Sequence, residues 1–376
     1  MFDSIHAGRW LSQFTDQDID FLLFPSKKFK NIHPKLRDLI SDQSLASFSI
    51  THPLRVLGIL GYLDFALFVQ LSRLLKSNLR AKYLKRLLNK QKFDYVHALE
   101  IQGAGYLCAE AITNKNFKLI LTNWGSDIFY FQHLPEHLSR IKSVLAKADL
   151  YSAECIRDYK LAIELGFSGV SLPCIPNGGG FSGISESYLQ IPASMRNNIV
   201  VKTYGGIFGR GNLAIDAVAK VLEGNHHLTA FFYSVTEDLE LQVSNLKKTF
   251  GERVKFSTLK DPLSQSELFQ VFMSSKIYIG CSISDGLSTS FLEALNCGVY
   301  PIQTNTSCAG ELIEKGVVAS LVNLEPSELN SALEYCITNN KALDHITRNN
   351  LRVSAQEHNF AKVKNEALKF YAGWHN

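Results

Sequence analysis

The stretch Ser282-Ile-Ser-Asp285-Gly286-Leu287-Ser288-Thr-Ser-Phe-Leu-Glu293-Ala-Leu-Asn-Cys-Gly298 follows directly on the apolar run 277–281. The run reads as a buried strand, the Gly-containing polar segment as a loop, and the residues from Ser288 onward as a helix. In parallel α/β sheets, ligands sit at the carboxyl ends of strands, against helix N-termini whose free N–H groups favour anions. Asp285 falls in the loop, and Glu293 lies eight residues later, about two turns into the helix. One carboxylate can then meet the near end of a ligand while the other holds hydroxyls further along. The plainer alternative is a surface aspartate beside an ordinary helix glutamate.

Working outward, the same alternation recurs along the chain. Apolar runs at 19–24, 95–98, 118–122 and 150–153 read as strands, with a helix around 5–14, helical spacing between the runs, and another helix at 138–147. The turn-rich segment 173–183, followed by a polar stretch to 198, marks a domain boundary. Beyond it, strands are predicted at 199–204, 228–234, 254–256, 277–281 and 299–303. Helices are predicted at 212–222, 238–250, 265–273, 288–296 and 308–315, and three amphipathic helices close the chain. Strands alternating with helices predict an α/β chain with parallel, doubly wound sheets. A length of 376 residues is too great for one typical core and suggests two domains.

Composition excludes disordered, collagenous and disulfide-dense classes. Seven cysteines, scattered and without CxxC pairs, argue against a disulfide framework or zinc site and favour a reducing compartment. No His/Cys ligand cluster suggests a metal site, so none is expected. The N-terminus shows no signal-peptide pattern, and a net charge of +4 is too small to argue for nucleic acid.

Three further segments carry candidate chemistry. Thr203-Tyr-Gly-Gly206-Ile-Phe-Gly209-Arg210-Gly-Asn-Leu213 joins a strand to a helix through glycines that let backbone approach a ligand, with an arginine fork suited to phosphate. Lys202 is the alternative cation there, although a strand lysine can simply face solvent. Thr122-Asn-Trp-Gly-Ser-Asp127-Ile128 follows a strand; Ser126 and Asp127 are also good helix caps. Pro301-Ile-Gln-Thr304-Asn305-Thr306-Ser-Cys-Ala-Gly-Glu311 repeats the strand, loop and helix order.

Taken together, these segments resemble the retaining glycosyltransferases of family 4 (glycosyl transferases group 1). The resemblance covers nearly the whole chain and is strongest from 199 to 322. It implies a GT-B architecture: two Rossmann-like domains with parallel sheets facing across a cleft. These would be an acceptor-side domain at 1–178, a nucleotide-sugar domain at 179–357, and a C-terminal helix at 358–376 that packs back on the first. Closure about the 176–183 segment would bring donor and acceptor together. The family's first strand is apparently missing, since the chain opens on what usually follows it; an upstream start is the favoured explanation.

The resemblance also implies a retaining transfer of a sugar from a nucleotide-diphosphate sugar to a glycan or lipid-linked acceptor, in surface polysaccharide synthesis. Asp285, Glu293, Arg210 and Asp127 would be the catalytic residues. Gly206, Gly209, Arg210, Gly286, Leu287, Ser288, Glu293, Thr304, Asn305 and Thr306 would contact the donor. No cofactor is implied, the donor being a substrate. Family members carry a histidine near the anomeric carbon, for which His6 and His97 are the candidates; Asp261-Pro resembles the region that contacts the nucleobase. The chain departs from the pattern in two places. Its first acid is Asp285 rather than Glu, and no residue fills the position of the first phosphate-binding arginine. Those departures leave two alternatives open: a non-catalytic GT-B partner subunit, or a nucleotide-sugar epimerase.

The segment 54–92 begins apolar and ends basic, with Lys82, Lys85, Arg86, Lys90 and Lys92 interleaved with leucines. Gly58, Gly61 and Asp64 argue against a membrane span. Either this is a solvated helix packed on the first domain, or it rests on an anionic membrane surface, placing the chain in the cytoplasm at the inner face.

Overall fold

The structure, a computed structural model, describes residues 5–27, 32–41, 48–50, 78–182 and 191–373. The apolar half of the 54–92 segment, to residue 77, lies outside the described residues. The chain forms two compact units, Met1–Gly180 with Ala361–Asn376, and Phe181–Phe360. Among the described residues no helix is long and apolar enough to cross a membrane.

In the first unit, β1 (Phe21–Leu23) pairs in parallel with β2 (Phe48–Ile50). A second parallel sheet runs in the order β3 (Tyr95–Ala98), β4 (Lys118–Thr122), β5 (Leu150–Ser152), β6 (Val170–Ser171). No strand of the described residues joins these two pieces. The C-terminal segment supplies Val363, Ala367 and Phe370 to a core cluster with Trp10, Phe14, Leu36, Ile120 and Leu150. Strands β2 and β6 were not foreseen; β6 is two exposed residues, which show no apolar run.

The second unit is one parallel sheet of six strands, in the order β12 (Ser320–Val322), β11 (Tyr300–Thr304), β10 (Ser275–Gly280), β7 (Asn198–Lys202), β8 (Thr229–Val235), β9 (Val254–Thr258). Successive side chains of a strand face opposite ways, and the two central strands show it. Ile199, Val201, Ile277 and Ile279 enter one core with Ala214, Val218 and Phe232. Val200 and Tyr278 enter the other, with Phe272, Phe291 and Leu295. Helices cover both faces, so every residue of β10 is buried, and from Ile277 onward the strand reads as a continuous apolar run rather than an alternating one.

Arg196 anchors the back of this sheet. It is buried, donating from Nη1 to the carbonyls of Ser275 (3.2 Å), Cys297 (2.9 Å) and Gly298 (3.0 Å), and from Nε to that of Ile191 (3.1 Å). Its charge thereby lies at the C-terminal end of the helix Thr289–Asn296, where a cation complements the helix dipole.

Strand order decides where a ligand can sit. From β7 the chain winds outward through β8 and β9, then returns to β10 on the other side of β7 and winds outward through β11 and β12. The reversal between β7 and β10 opens a crevice at their carboxyl ends, and the loops after β7, β10 and β11 line it.

Candidate active site

Hydrogen bonds knit those three loops together. Arg210 N–H donates to Cys281 O (3.0 Å), and Ile283 N–H to Phe208 O (2.9 Å), fastening the glycine loop to the acidic one. Thr304 Oγ1 accepts from Ser282 N–H (3.0 Å) and donates to Ser282 O (2.9 Å), tying the end of β11 to the same loop. Asp285 N–H donates to Thr306 O (3.3 Å) and Cys308 N–H to Gly286 O (3.0 Å). The Asp285 carboxylate turns back onto Gly286 N–H at 2.9 Å. Asn305 is exposed, and its N–H donates to Val322 O at 2.8 Å.

The glycine loop is shaped by contacts that admit no side chain. A Cβ on Gly209 would stand 2.0 Å from the Tyr204 carbonyl oxygen, which is backbone and cannot yield. Gly206 has φ +68°, a left-handed conformation that favours glycine, and its N–H donates to Asp238 Oδ2 at 3.2 Å. Gly205 N–H donates to Thr236 Oγ1 at 2.9 Å, so the helix that follows β8 holds this loop from outside. Neither Thr236 nor Asp238 was foreseen, since both act through contacts more than thirty residues away.

Glu293 is buried on the helix Thr289–Asn296, while Asp285 is half-buried in the loop before it. Leu287 and Ser288 are buried at the start of that helix. Both acids act on Lys202 at the end of β7. Burial works against the Lys202 ammonium, but the charges of Asp285, Tyr204 and Glu293 outweigh it and hold its pKa above the usual lysine range. Arg210 donates from Nη1 to the carbonyls of Ile207 (3.3 Å) and Gly209 (2.6 Å), bracing its own loop. The second unit thus brings Gly206, Gly209, Arg210, Asp285–Ser288, Glu293 and Thr304–Thr306 to the carboxyl ends of three adjacent strands. Asp261 stands apart in an exposed turn, its N–H donating to Thr258 Oγ1 at 3.1 Å.

In the first unit, Asp127 is buried and ties together the loops after β3 and β4. Its Oδ2 accepts from Ile101 N–H (2.9 Å) and Trp124 N–H (3.2 Å), and Gln102 Nε2 donates to its carbonyl (2.6 Å). Burial pushes its carboxyl up to about 7, with the charge of Glu100 adding to the shift and the two backbone donors opposing it. Glu100 is itself buried and paired with Lys27. It caps the π-helix Ile101–Gly105 by accepting from Ala104 N–H at 3.2 Å. The sequence reading missed Glu100, whose partners are set by that unusual turn.

The two histidine candidates differ. Nδ1 of His97 lies 2.7 Å from the Tyr371 hydroxyl, and Nε2 lies 2.6 Å from Thr122 Oγ1, which in turn meets Ser152 Oγ at 2.7 Å. Burial lowers its pKa to about 3, so it is a neutral link in a structural chain. His6 stands edge-on to Trp124, with ring centroids 5.1 Å apart, beside the loop that carries Asp127.

The second unit thus carries acids, cations and a helix N-terminus at the switch point of a parallel α/β sheet. A glycosyl transferase 4-like family model matches residues 2–157, and a model for glycosyl transferases group 1 matches residues 212–353. The chain belongs to this glycosyltransferase family. Among solved structures it is similar to Anabaena HepE in complex with UDP-glucose, at 15% identity and a TM-score of 0.69, covering 98% of this chain and 95% of that one. A glycosyltransferase from Rickettsia africae is similar over 98% of this chain and 94% of that one, at 12% identity and a TM-score of 0.65. Sucrose-phosphate synthase from Thermosynechococcus elongatus covers 77% of this chain and 76% of its own, at 15% identity and a TM-score of 0.59. A comparison with curated proteins found no match.

Proposed function

We propose that this glycosyltransferase moves a sugar from a UDP-sugar to a glycan or lipid-linked acceptor with retention at the anomeric carbon, in surface polysaccharide synthesis. The observation that carries the donor assignment is the knitted cluster at the β7–β10 switch point, where buried Glu293 and half-buried Asp285 stand beside a helix N-terminus. The HepE structure, similar over 98% of this chain, is described as a complex with UDP-glucose, which supports uridine as the base. In this reading Glu293 holds ribose hydroxyls and Asp285 the hydroxyls of the donor sugar. The N–H groups of the glycine loop and of the helix Thr289–Asn296, with Arg210, hold the diphosphate. The bond from the anomeric carbon to the diphosphate oxygen breaks, the acceptor oxygen bonds to that carbon on the same face, and the acceptor's proton goes to the departing phosphate. Fixed donors can neutralise the phosphates, so the proposal invokes no metal and no cofactor. Asp127, with a carboxyl poised near neutrality, would face the acceptor.

Membrane contact is part of the proposal. On the helix Leu79–Lys90, Ala81, Leu84 and Leu88 are buried, while Lys82, Lys85, Arg86 and Lys90 are exposed. A helix face this cationic suits an anionic lipid surface.

Calorimetric titration of UDP, GDP, ADP and their sugars into the full-length chain tests the donor assignment. Saturable binding of UDP or a UDP-sugar, lost in Glu293→Ala, is the expected result. A folded wild-type chain that binds none of them refutes it.

A further inference from the structure

Glu100 and Asp127 are both buried, in the loops that follow the neighbouring strands β3 and β4. The two carboxyls are used differently. Both oxygens of Glu100 are engaged: Oε1 accepts from Ala104 N–H at 3.2 Å, and Oε2 pairs with Lys27. Asp127 Oδ2 accepts from Ile101 and Trp124 N–H, whereas Oδ1 accepts no hydrogen bond from any described residue. A buried acid with one oxygen fixed and the other unpartnered is suited to a ligand's hydroxyl.

Glu100 reaches Asp127 through one turn. Its carboxylate caps the π-helix Ile101–Gly105, and a Cβ on Gly103 would stand 1.8 Å from Glu100 Oε1, so the acid lies against that turn. The same turn grips the second acid, with Ile101 N–H on Oδ2 at 2.9 Å and Gln102 Nε2 on the backbone carbonyl at 2.6 Å. Turns of this kind are rare and concentrate at functional sites. Charge points the same way, because two buried carboxyls share the single ammonium of Lys27. The other ionisable groups around the loop are committed elsewhere. Arg157 pairs with Asp158 at 2.8 Å and lies over Phe129, and Arg140 lies over the Tyr106 ring. The Tyr106 hydroxyl meets His137 Nδ1 at 3.0 Å, the Tyr151 hydroxyl donates to Asp158 O at 3.4 Å, and His6 stands edge-on to Trp124. Burial, with the charge of Glu100 added, holds the Asp127 carboxyl at about 7, and Lys27 opposes that shift.

We infer that Glu100, held by Lys27, is the positioning residue for Asp127, fixing the turn that grips Oδ2 and leaving Oδ1 for the acceptor hydroxyl. The inference rests on the acceptor role proposed above for Asp127. An ionised Asp127 accepts the hydroxyl's hydrogen bond and so orients the oxygen that attacks; a protonated one offers a donor in its place. Glu100 therefore sets the pH below which that orientation is lost.

The test is a carbon-13 NMR titration of the full-length chain, labelled at the aspartate and glutamate carboxyls, across neutral pH; Asp127→Asn identifies the Asp127 signal. Glu100→Gln keeps the cap and removes the charge, and should lower the Asp127 midpoint by about one pH unit. Lys27→Met, at an exposed position, should instead raise the pH at which the two carboxyls take up their first proton. An unmoved Asp127 midpoint in folded Glu100→Gln overturns the inference. So does an unmoved or lowered first step in Lys27→Met, which decides alone if Glu100→Gln does not fold. Hydrolysis of UDP-glucose tests the underlying reading separately. Asp127→Asn should slow it roughly tenfold or more, and Glu100→Gln should carry the acidic limb of the rate down with the carboxyl. An Asp127→Asn variant that hydrolyses at the wild-type rate refutes the role of Asp127, whatever the titrations give. A slow Asp127→Asn beside unmoved titrations refutes the positioning alone.

Discussion

Replacing Thr304 by valine tests whether the loop network holds the donor site in place. Thr304 is buried at the end of β11, and its hydroxyl makes a reciprocal pair with the backbone of Ser282, accepting at 3.0 Å and donating at 2.9 Å. Valine preserves the shape and removes the hydroxyl. Ser282 O keeps the Thr306 hydroxyl as a donor, but Ser282 N–H loses the acceptor that Thr304 supplies. A buried donor left without a partner costs about 1–3 kcal/mol. With a urea dependence of about 2 kcal/mol per molar, the midpoint for the second unit should fall by about 1 M. Circular dichroism reads that transition. Tryptophan fluorescence does not, because the tryptophans are at positions 10, 124 and 374, none of them within 181–360. With one of its ties to β11 lost, the segment bearing Asp285 should also hold UDP less tightly. A variant whose urea midpoint and UDP affinity both equal those of the wild type refutes the reasoning.

Other outcomes follow from single contacts. Arg196→Met should destabilise the second unit by about 3 kcal/mol by leaving buried carbonyls without their charged donor, and lysine should recover little because it lacks the planar fork; urea unfolding checks both. The folded pKa of His97, about 3, lies below its unfolded value, so the unfolded chain binds more protons in the window between. Stability then falls as pH drops below about 6.5, by about 2 kcal/mol at pH 5, and His97→Gln should remove that dependence in melting curves. If the cationic helix face binds membranes, replacing Lys82, Lys85 and Arg86 by alanine should abolish co-sedimentation with phosphatidylserine vesicles; undiminished pelleting of the variant counts against that role.

What the sequence determined by itself was the repeating strand, loop and helix. That pattern is local: an apolar run such as 277–281, a glycine and a spaced helical face declare themselves within twenty residues, and they place Asp285 and Glu293 at a strand end without further information. The short strands β2 and β6 stayed hidden because no longer apolar run surrounds them, unlike β1 and β5. The setting of each charged group is different in kind. Lys202 on its strand could as well have faced water. His97 was an open candidate until Tyr371, 274 residues away, and Thr122 engaged both its nitrogens. Glu100 and Asp127 feel each other's charge only because β3 and β4 are neighbours, and Arg196 finds its carbonyls on segments up to 102 residues away. Only the tertiary structure decided these, because burial and partnership set the charge and reach of a polar side chain, and both come from residues remote in sequence.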